Sequence, residues 1–587
     1  MSGNPGTGKE TVGAPAADGI TSRPAAVAAT GGRGSTARLR AYWLSPAGIV
    51  MLAATGLALA IRVYTLTRPG YLTGVTEYDD GVYLGGSIRL LQGSLPYQDW
   101  AYVQPPGILL LMTPVALLAK VMTTAYAMAV ARLLTVLAST ACVPLAGSLL
   151  RYRGTLVTLV TCGVLAVYPD DITTAHTLIL EPWMNLFCLV GASLAFRRGR
   201  LASPRRLLWA GVAMGFAGAV KYWAALPALV LLVVCLVTAR GTSRGTSRGT
   251  GRGTGRGTGL GVRRATRYVP GVLAGFLIPV LPFALTAPSV FLRSTLADQA
   301  ARAGTPVPVS LRLAHLSGLI DFLNGSGHFS LHAGAHSLFA SGSSAATTDA
   351  GAGWLPFVVT ILFVAVLAAC YVWDPGRPSP LEWFALVTAV GAVIAVISYS
   401  AFFYHYPDFA APWLALTAGG AAGALARGLS GRPQARRVVI PAAAVIVLAV
   451  AVFQAHELSG LRAIDVSADK ALIPAGACVV TDQTSITISA DRFTASRPGC
   501  PDVIDSLAVT LVSGNGVSVQ GGAAALTQVV NEWQSIFSRA QYVWLSPNNG
   551  RRIPWTPALY LWFGTHFQEL TPSGAPGFGH VYQQVAP

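Results

Sequence analysis

The chain has 587 residues, 53% of them hydrophobic and only 11% charged, which is too apolar for a soluble protein and marks an integral membrane protein. Its formal net charge is +17, but the basic residues gather in alternate loops. The excess therefore reports membrane sidedness and argues against a nucleic-acid partner.

Residues 1–41 are rich in Gly, Ala and Pro and cannot bury a core, so they read as a disordered cytoplasmic tail. Gly3 to Glu10 (GNPGTGKE) nearly matches a phosphate-binding loop. Glu10, however, stands where a magnesium-holding Ser or Thr belongs, and no strand precedes it, so the match is one of chance. No cleavable signal peptide is expected, because the first apolar run begins near residue 42 and is long enough to stay as an anchor.

Apolar runs follow at 42–64, 126–149, 154–171, 181–196, 207–222, 223–239, 268–287, 354–373, 383–403, 409–426 and 438–455. At about 20 residues per crossing they predict an α-helical polytopic protein with about 11 transmembrane helices, the shorter ones relying on tilt. Arg151 and Arg153, then Arg197, Arg198, Arg200, Arg205 and Arg206, then Arg427, Arg432, Arg436 and Arg437 fall in every second loop, on the side of the N-terminal tail. Short basic loops stay inside, so that side is cytoplasmic. Of the 24 acids, only Glu10, Asp18, Asp374 and Glu382 fall there.

The first outer loop, 65–125, holds the stretch Thr76 to Leu84 (TEYDDGVYL), in which Asp79 and Asp80 are flanked by Tyr78 and Tyr83, with Tyr97, Trp100 and Tyr102 following. Gln104-Pro105-Pro106-Gly107 then leads into an apolar segment, 108–122, that cannot cross without upsetting the charge pattern and is expected to lie along the outer leaflet. Arg132, Asp170, Asp171, His176, Glu181, Lys221, Asp298, Gln299, Arg302, His405, Tyr406 and Asp408 are predicted to return to the same side. Ionisable groups at membrane depth are functional candidates. A plainer account has Asp79 and Asp80 capping a helix that starts at Gly81, Lys221 snorkelling to the interface, and Arg132 and Arg302 pairing with Glu181 or Asp298.

The connection 240–267 carries a Gly/Thr/Arg repeat from Gly241 to Gly259 and reads as a flexible cytoplasmic linker. His328, His332 and His336 recur every four residues, but the surrounding glycines and serines oppose a helix that would align them on a metal. Cys142, Cys162, Cys188, Cys235 and Cys370 lie in apolar runs, where a thiol packs as a small apolar group. Residues 456–587 lack a spanning run and mix strand-like segments (Cys478–Thr481, Gln541–Leu545, His580–Tyr582) with a helix-like stretch at 523–538, which predicts a small C-terminal extracytoplasmic α/β domain. Cys478 and Cys500 fall in that outer region and are expected to be bonded. Asp482, Asp491 and Asp502 read there as solvated acids or caps.

Several of these residues occur in an order that resembles the GT-C glycosyltransferases, in the branch of the lipid A aminoarabinose transferase and the protein O-mannosyltransferases. They are Tyr78-Asp79-Asp80-Gly81-Val82-Tyr83, Gln104-Pro105-Pro106, Ala131-Arg132-Leu133, Glu181-Pro182, Val220-Lys221-Tyr222 and Tyr404-His405-Tyr406. The resemblance covers 42–455, with a C-terminal outer domain as many members have. Two positions depart from it: Asp80 is frequently Glu in the family, and Gln104 stands where Lys or His is frequent.

The resemblance implies a plasma-membrane enzyme that moves a sugar from a polyprenyl-phosphate donor to a hydroxyl or amine of an envelope glycan, lipid or protein on the outer face. Such a reaction needs a carboxylate to take the acceptor's proton and cations to stabilise the departing phosphate. Asp79 matches the base and Asp80 its partner. Lys221 heads the candidates for donor binding, with Glu181, His176, Arg132, His405, Tyr406 and Arg302 beside it. The residues name no cofactor, and a divalent cation is left open. The rival reading is a transporter or flippase for a lipid-linked or small solute, which the absence of paired halves and of Gly/Pro-broken spans in matching positions disfavours.

Overall fold

In the computed structural model the described residues are 43–241, 256–300, 307–318, 355–372, 378–429, 431, 433–493, 498–513, 523–547, 552–571 and 579–585. The N-terminal tail, Arg302, His328, His332, His336 and most of the Gly/Thr/Arg repeat lie outside them. All that follows concerns the compact unit Pro46–Pro587.

Each predicted apolar run coincides with helix. The elements are α1 (Pro46–Leu66), α2 (Asp79–Leu91), α3 (Gly107–Ala116), α4 (Thr124–Leu150), α5 (Thr155–Ala166), α6 (Pro169–Ala175), α7 (Leu180–Ala195), α8 (Pro204–Val220), α9 (Ala225–Gly241), α10 (Arg256–Thr286), α11 (Leu355–Val372), α12 (Pro380–Ser398), α13 (Ala411–Gly428) and α14 (Pro433–Ser459). Among the described residues five helices are long and apolar enough to cross a membrane, and a sixth if the bent pair α5 and α6 is one span. The other runs are helical but shorter.

Three boundaries differ from the sequence reading. The run 154–171 is not one helix: α5 and α6 meet at a 54° bend, because Pro169 forces the preceding Tyr168 into extended backbone, ψ 121. The helix α10 begins at Arg256, inside the stretch read as linker. The run 383–403 ends early, at Ser398, so His405 and Tyr406 stand beyond it, at the head of a short 3₁₀ turn, Tyr406–Phe409, that leads into α13.

Local chemistry explains several starts. Thr123 accepts a hydrogen bond from the Tyr126 amide at the head of α4, and Ser379 with Glu382 forms a reciprocal capping box at α12, where Pro380 occupies the first turn. Packing of α8 on α10 depends on glycine. A Cβ at Gly211 would come within 2.3 Å of the Tyr268 carbonyl oxygen, and one at Gly275 within 2.1 Å of that of Val212. Two backbones approach this closely only over small side chains.

The bundle has two chemically different ends. Helix α4, with 27 residues, is about 40 Å long. Its first residue, Thr124, bonds through its hydroxyl to the Ile488 carbonyl at 2.7 Å. Beyond its last, Arg153 meets Glu382 at 2.5 Å, and the Leu381 amide reaches the Gly199 carbonyl in the hairpin of β1 (Phe196–Arg197) and β2 (Arg200–Leu201). The basic loops thus gather at one end, and the C-terminal region sits on the other.

That C-terminal region contains a four-stranded sheet in the order β3 (Val479–Thr481), β4 (Tyr542–Leu545), β6 (His580–Gln584), β5 (Phe567–Glu569). Strands β3 and β4 run parallel and the other pairs antiparallel. Helices α15 (Thr484–Ser489), α16 (Ser506–Ser513), α17 (Ala523–Ser538) and α18 (Pro557–His566) accompany it. Trp533, Phe537, Val543 and Leu545 fill its core. Cys478 and Cys500 are joined by a disulfide.

Candidate active site

Helix α2 begins at Asp79, not Gly81. Its N-cap residue is Tyr78, which makes no side-chain capping bond, so the capping account of the acidic pair does not hold. Both acids stand in the first turn, where the helix dipole favours negative charge, but their surroundings differ. Asp79 is half-buried and Asp80 is fully buried.

Asp80 Oδ2 receives the Arg132 guanidinium at 2.5 Å and the Thr177 hydroxyl at 3.1 Å. The same guanidinium donates to the carbonyls of Tyr71 and Gly74 at 2.8 and 2.9 Å. Arg132 therefore pairs with Asp80, and not with Glu181 or Asp298. It ties α4 to the loop in front of α2. His176 adjoins this group, its ring 5.1 Å from that of Tyr71.

Lys221 ends α8 in extended backbone and bonds the Glu181 carboxylate at the start of α7. Its ammonium lies 4.5 Å from the ring centre of Tyr406 and 5.0 Å from that of Trp223, within cation–π range. Glu181 Oε1 is also 3.8 Å from His405 Nε2. Glu181, Lys221, His405 and Tyr406 thus form one cluster. A Cβ at Gly107 would lie 2.5 Å from the Ala219 carbonyl oxygen, so the Pro105-Pro106-Gly107 turn packs against the end of α8 beside Lys221.

Glu77 and Tyr404 join the two groups; neither was among the site candidates, although Tyr404 opens the Tyr404-His405-Tyr406 motif. The Tyr404 hydroxyl donates to Glu77 Oε1 at 2.6 Å, and its ring adjoins that of His405. Burial, then the charge of nearby Asp80, raises the Glu77 carboxyl above its ordinary range, partly offset by the bonds from Tyr404 and from the Tyr78 amide. Burial and then the charge of Asp79 raise the phenol of Tyr83, and burial and then the charges of Asp505 and Asp79 raise that of Tyr102.

A second buried layer lies beneath. Arg62, an arginine inside the first apolar run, bonds Asp171, which also receives the Ser139 hydroxyl at 2.8 Å. Asp408 accepts from Thr174 and Asn185, and Asp170 meets His315 at 2.8 Å. An Arg in a spanning run was the available signal for this layer. Of the three C-terminal acids read as solvated or capping, only Asp482 is fully buried, and Asp491 does cap, at the head of α4. Asp482 is buried against Ser546, Asp491 accepts from Thr124, and Asp502 pairs with Arg89 at 2.8 Å. No group of three or more His, Cys, Asp or Glu side chains able to hold a metal occurs among the described residues.

No family model and no curated protein matches the chain in sequence. Solved structures do match. ArnT from Cupriavidus metallidurans bound to undecaprenyl phosphate superposes with a TM-score of 0.55 at 14% identity, over 91% of this chain and 98% of that one. The chain has the GT-C fold. The same transferase in its apo state gives a TM-score of 0.51 at 15% identity, over 92% and 99% of the two chains. An Archaeoglobus fulgidus oligosaccharyltransferase tethered to an acceptor peptide gives 0.49 at 11% identity, over 92% and 74%.

Proposed function

We propose that the chain is a membrane glycosyltransferase that moves a sugar from a polyprenyl-phosphate donor to a hydroxyl or amine on the outer face of the membrane. The observation that carries this reading is the difference in exposure between the two adjacent acids. Asp80 is fully buried against Arg132 and Glu181 is bonded to Lys221, while Asp79 is half-buried on the first turn of α2. A carboxylate that can be reached serves as a general base toward an acceptor. Lys221, held by aromatic faces as well as by Glu181, can turn toward a phosphate and stabilise its departure.

The apolar part of a lipid donor also has a fitting surface. Tyr222, Trp223 and Leu226 of the stretch leading into α9 and Ala395, Ser398 and Tyr399 at the end of α12 line a cavity of about 400 Å³ next to Lys221. The same two helices line an apolar cavity of similar volume further along, at Leu229, Val233 and Val237 opposite Trp383 and Val387. Together they form a groove leading away from the ammonium. The likeness in fold to a transferase solved with undecaprenyl phosphate supports the same class of donor.

The test is sugar transfer by purified protein in detergent, which an enzyme performs and a transporter, needing a sealed compartment, does not. Mass analysis of envelope glycans from a deletion strain would name the product. Asp79→Asn keeps shape but cannot take a proton, so transfer is expected to fall about 10²- to 10⁴-fold. A folded Asp79→Asn protein with wild-type transfer would end the assignment. The sidedness is tested separately: labelling of a cysteine placed at Ser247 by an impermeant reagent in intact cells would reverse the orientation.

A further inference from the structure

We infer that the C-terminal domain is part of the active site: through Tyr78 and Asp505 it holds α2, and with it Asp79, in the reactive position. The inference rests on reading Asp79 as the base. Tyr78 is the residue directly before Asp79, and its side chain points away from the bundle into the C-terminal domain. Its hydroxyl donates to Asp505 Oδ1 at 2.7 Å, lies 3.1 Å from Ser506 Oγ, and accepts from the Leu507 amide at 3.2 Å. Asp505 Oδ1 also receives the Ala508 amide at 2.9 Å, which fixes the carboxylate at the head of α16. The Arg552 guanidinium covers the Tyr78 ring at 3.7 Å from its centre.

The grip extends along the whole of α2. One turn in, a Cβ at Gly81 would lie 2.0 Å from the Ser485 amide nitrogen, so α15 rests on the α2 backbone at a point where only glycine fits. Gln483 Nε2 donates to the Glu77 carbonyl at 3.3 Å. At the far end Arg89 pairs with Asp502 at 2.8 Å, and Ser94 donates to the same carboxylate at 3.0 Å. Both ends of the helix that carries Asp79 are thus fixed by residues more than 400 positions later in the chain. A domain serving only as an appended binding module would have no need to hold these two points, and the Tyr78 contact in particular is adjacent to the reacting carboxylate. Tyr78 and Asp505 act through Asp79 and are positioning residues.

Displacement of a reacting group by about 1 Å costs on the order of 10²-fold in rate, which sets the scale of the test. Tyr78→Phe removes one hydroxyl and keeps the ring beneath Arg552, and Asp505→Ala removes the acceptor. Each is purified full length with wild type, Asp79→Asn and the Tyr78→Phe/Asp505→Ala double variant, and assayed with the total polyprenyl-phosphate sugar extract of the host membranes as donor. The expected result is a fall of about 10- to 100-fold in the rate at saturating extract for each single variant. The half-saturating amount should stay within twofold, and the double variant should lose no more than the worse single, because both changes break one bond. A parallel measurement follows coupling of Asp79 to glycine ethyl ester by a water-soluble carbodiimide, read by peptide mass, and the coupling rate should change in Tyr78→Phe while the Cys478–Cys500 bond stays intact. Wild-type turnover in Tyr78→Phe, losses that multiply in the double variant, an effect confined to half-saturation, or an unchanged coupling rate each overturn the inference. Full activity in Asp79→Asn would instead remove the base assignment on which it rests.

Discussion

Two ion pairs flank α4, both with an N–O separation of 2.5 Å: Arg132 with Asp80 toward one end, and Arg153 with Glu382 just beyond the other. Their lengths are the same and their circumstances are not. Both partners of the first have 0% exposed side chains, whereas Arg153 keeps 18% of its own. Glu382 also closes the capping box of α12, so its charge is shared with backbone amides. Asp80 Oδ1 and Arg132 Nε, by contrast, have no hydrogen-bond partner among the described residues. Distance says little about what a pair contributes; burial and the remaining hydrogen bonds decide it. The end that carries incompletely satisfied buried charge is also the end that carries Asp79.

The comparison is broken most directly by removing the two arginines. Arg132→Met leaves Asp80 buried without a cation and should cost about 3–5 kcal/mol. Arg153→Met removes a partly wet partner and should cost about 1 kcal/mol or less. The measurement is the temperature at which each variant in detergent loses its monodisperse size-exclusion peak. The double change Arg132→Met with Asp80→Asn should recover part of the loss, because no unpaired charge remains. Equal losses for the two arginines would refute the contrast.

The disulfide gives a calibration of intermediate size, away from both pairs. Cys478 and Cys500 are separated by 22 positions, and closing a loop of that length is worth about 3 kcal/mol in the chain-entropy account. Changing both to Ser should destabilise the C-terminal domain by about that amount, below the loss expected for Arg132→Met. Thiol counting on unreduced wild-type protein should find only Cys142, Cys162, Cys188, Cys235 and Cys370 free. Finding seven free thiols would remove the bridge and weaken the outer placement of the domain.

How much of this was legible follows from sequence distance. The helices were readable because each apolar run is continuous, and the break between α5 and α6 had a signal in Pro169 that the reading of 154–171 as one run did not use. The candidates Lys221, Glu181, His405 and Tyr406 were found individually from polarity at expected span ends. Their pairing was not, since nothing in one sequence couples Glu181 to Lys221 in preference to Arg132. Arg62 was hidden inside an apolar run, and its partner Asp171 lies 109 positions on. The contacts of Tyr78 with Asp505, 427 positions apart, were beyond local pattern altogether. Strand β5, three residues long, is too short to carry a periodicity.

The smallest effect expected is at Glu77, and it sharpens the contrast because, among the described residues, this acid lies with the buried pairs without a cation of its own in hydrogen-bond contact. Its two oxygens accept from the Tyr404 hydroxyl at 2.6 Å and from the Tyr78 amide at 2.9 Å. Burial and the neighbouring Asp80 charge raise its pKa above the ordinary range, so the fold favours the protonated form. The stability this contributes is fully present below the unfolded carboxyl value of about 4.3 and is lost as pH rises through the higher folded value. Gln is the neutral isostere of a protonated Glu. Glu77→Gln should therefore match wild type to within about 0.5 kcal/mol at pH 4, a surface-like change despite the burial. As pH rises above the ordinary carboxyl range the wild type should lose stability relative to the variant, not gain it. Thermal unfolding of both proteins in detergent across pH 4 to 8 reads this difference. A wild type that becomes the more stable of the two at pH 8 would mean that Glu77 is ionised and stabilised by its donors, and that this acid belongs with the paired charges of the site.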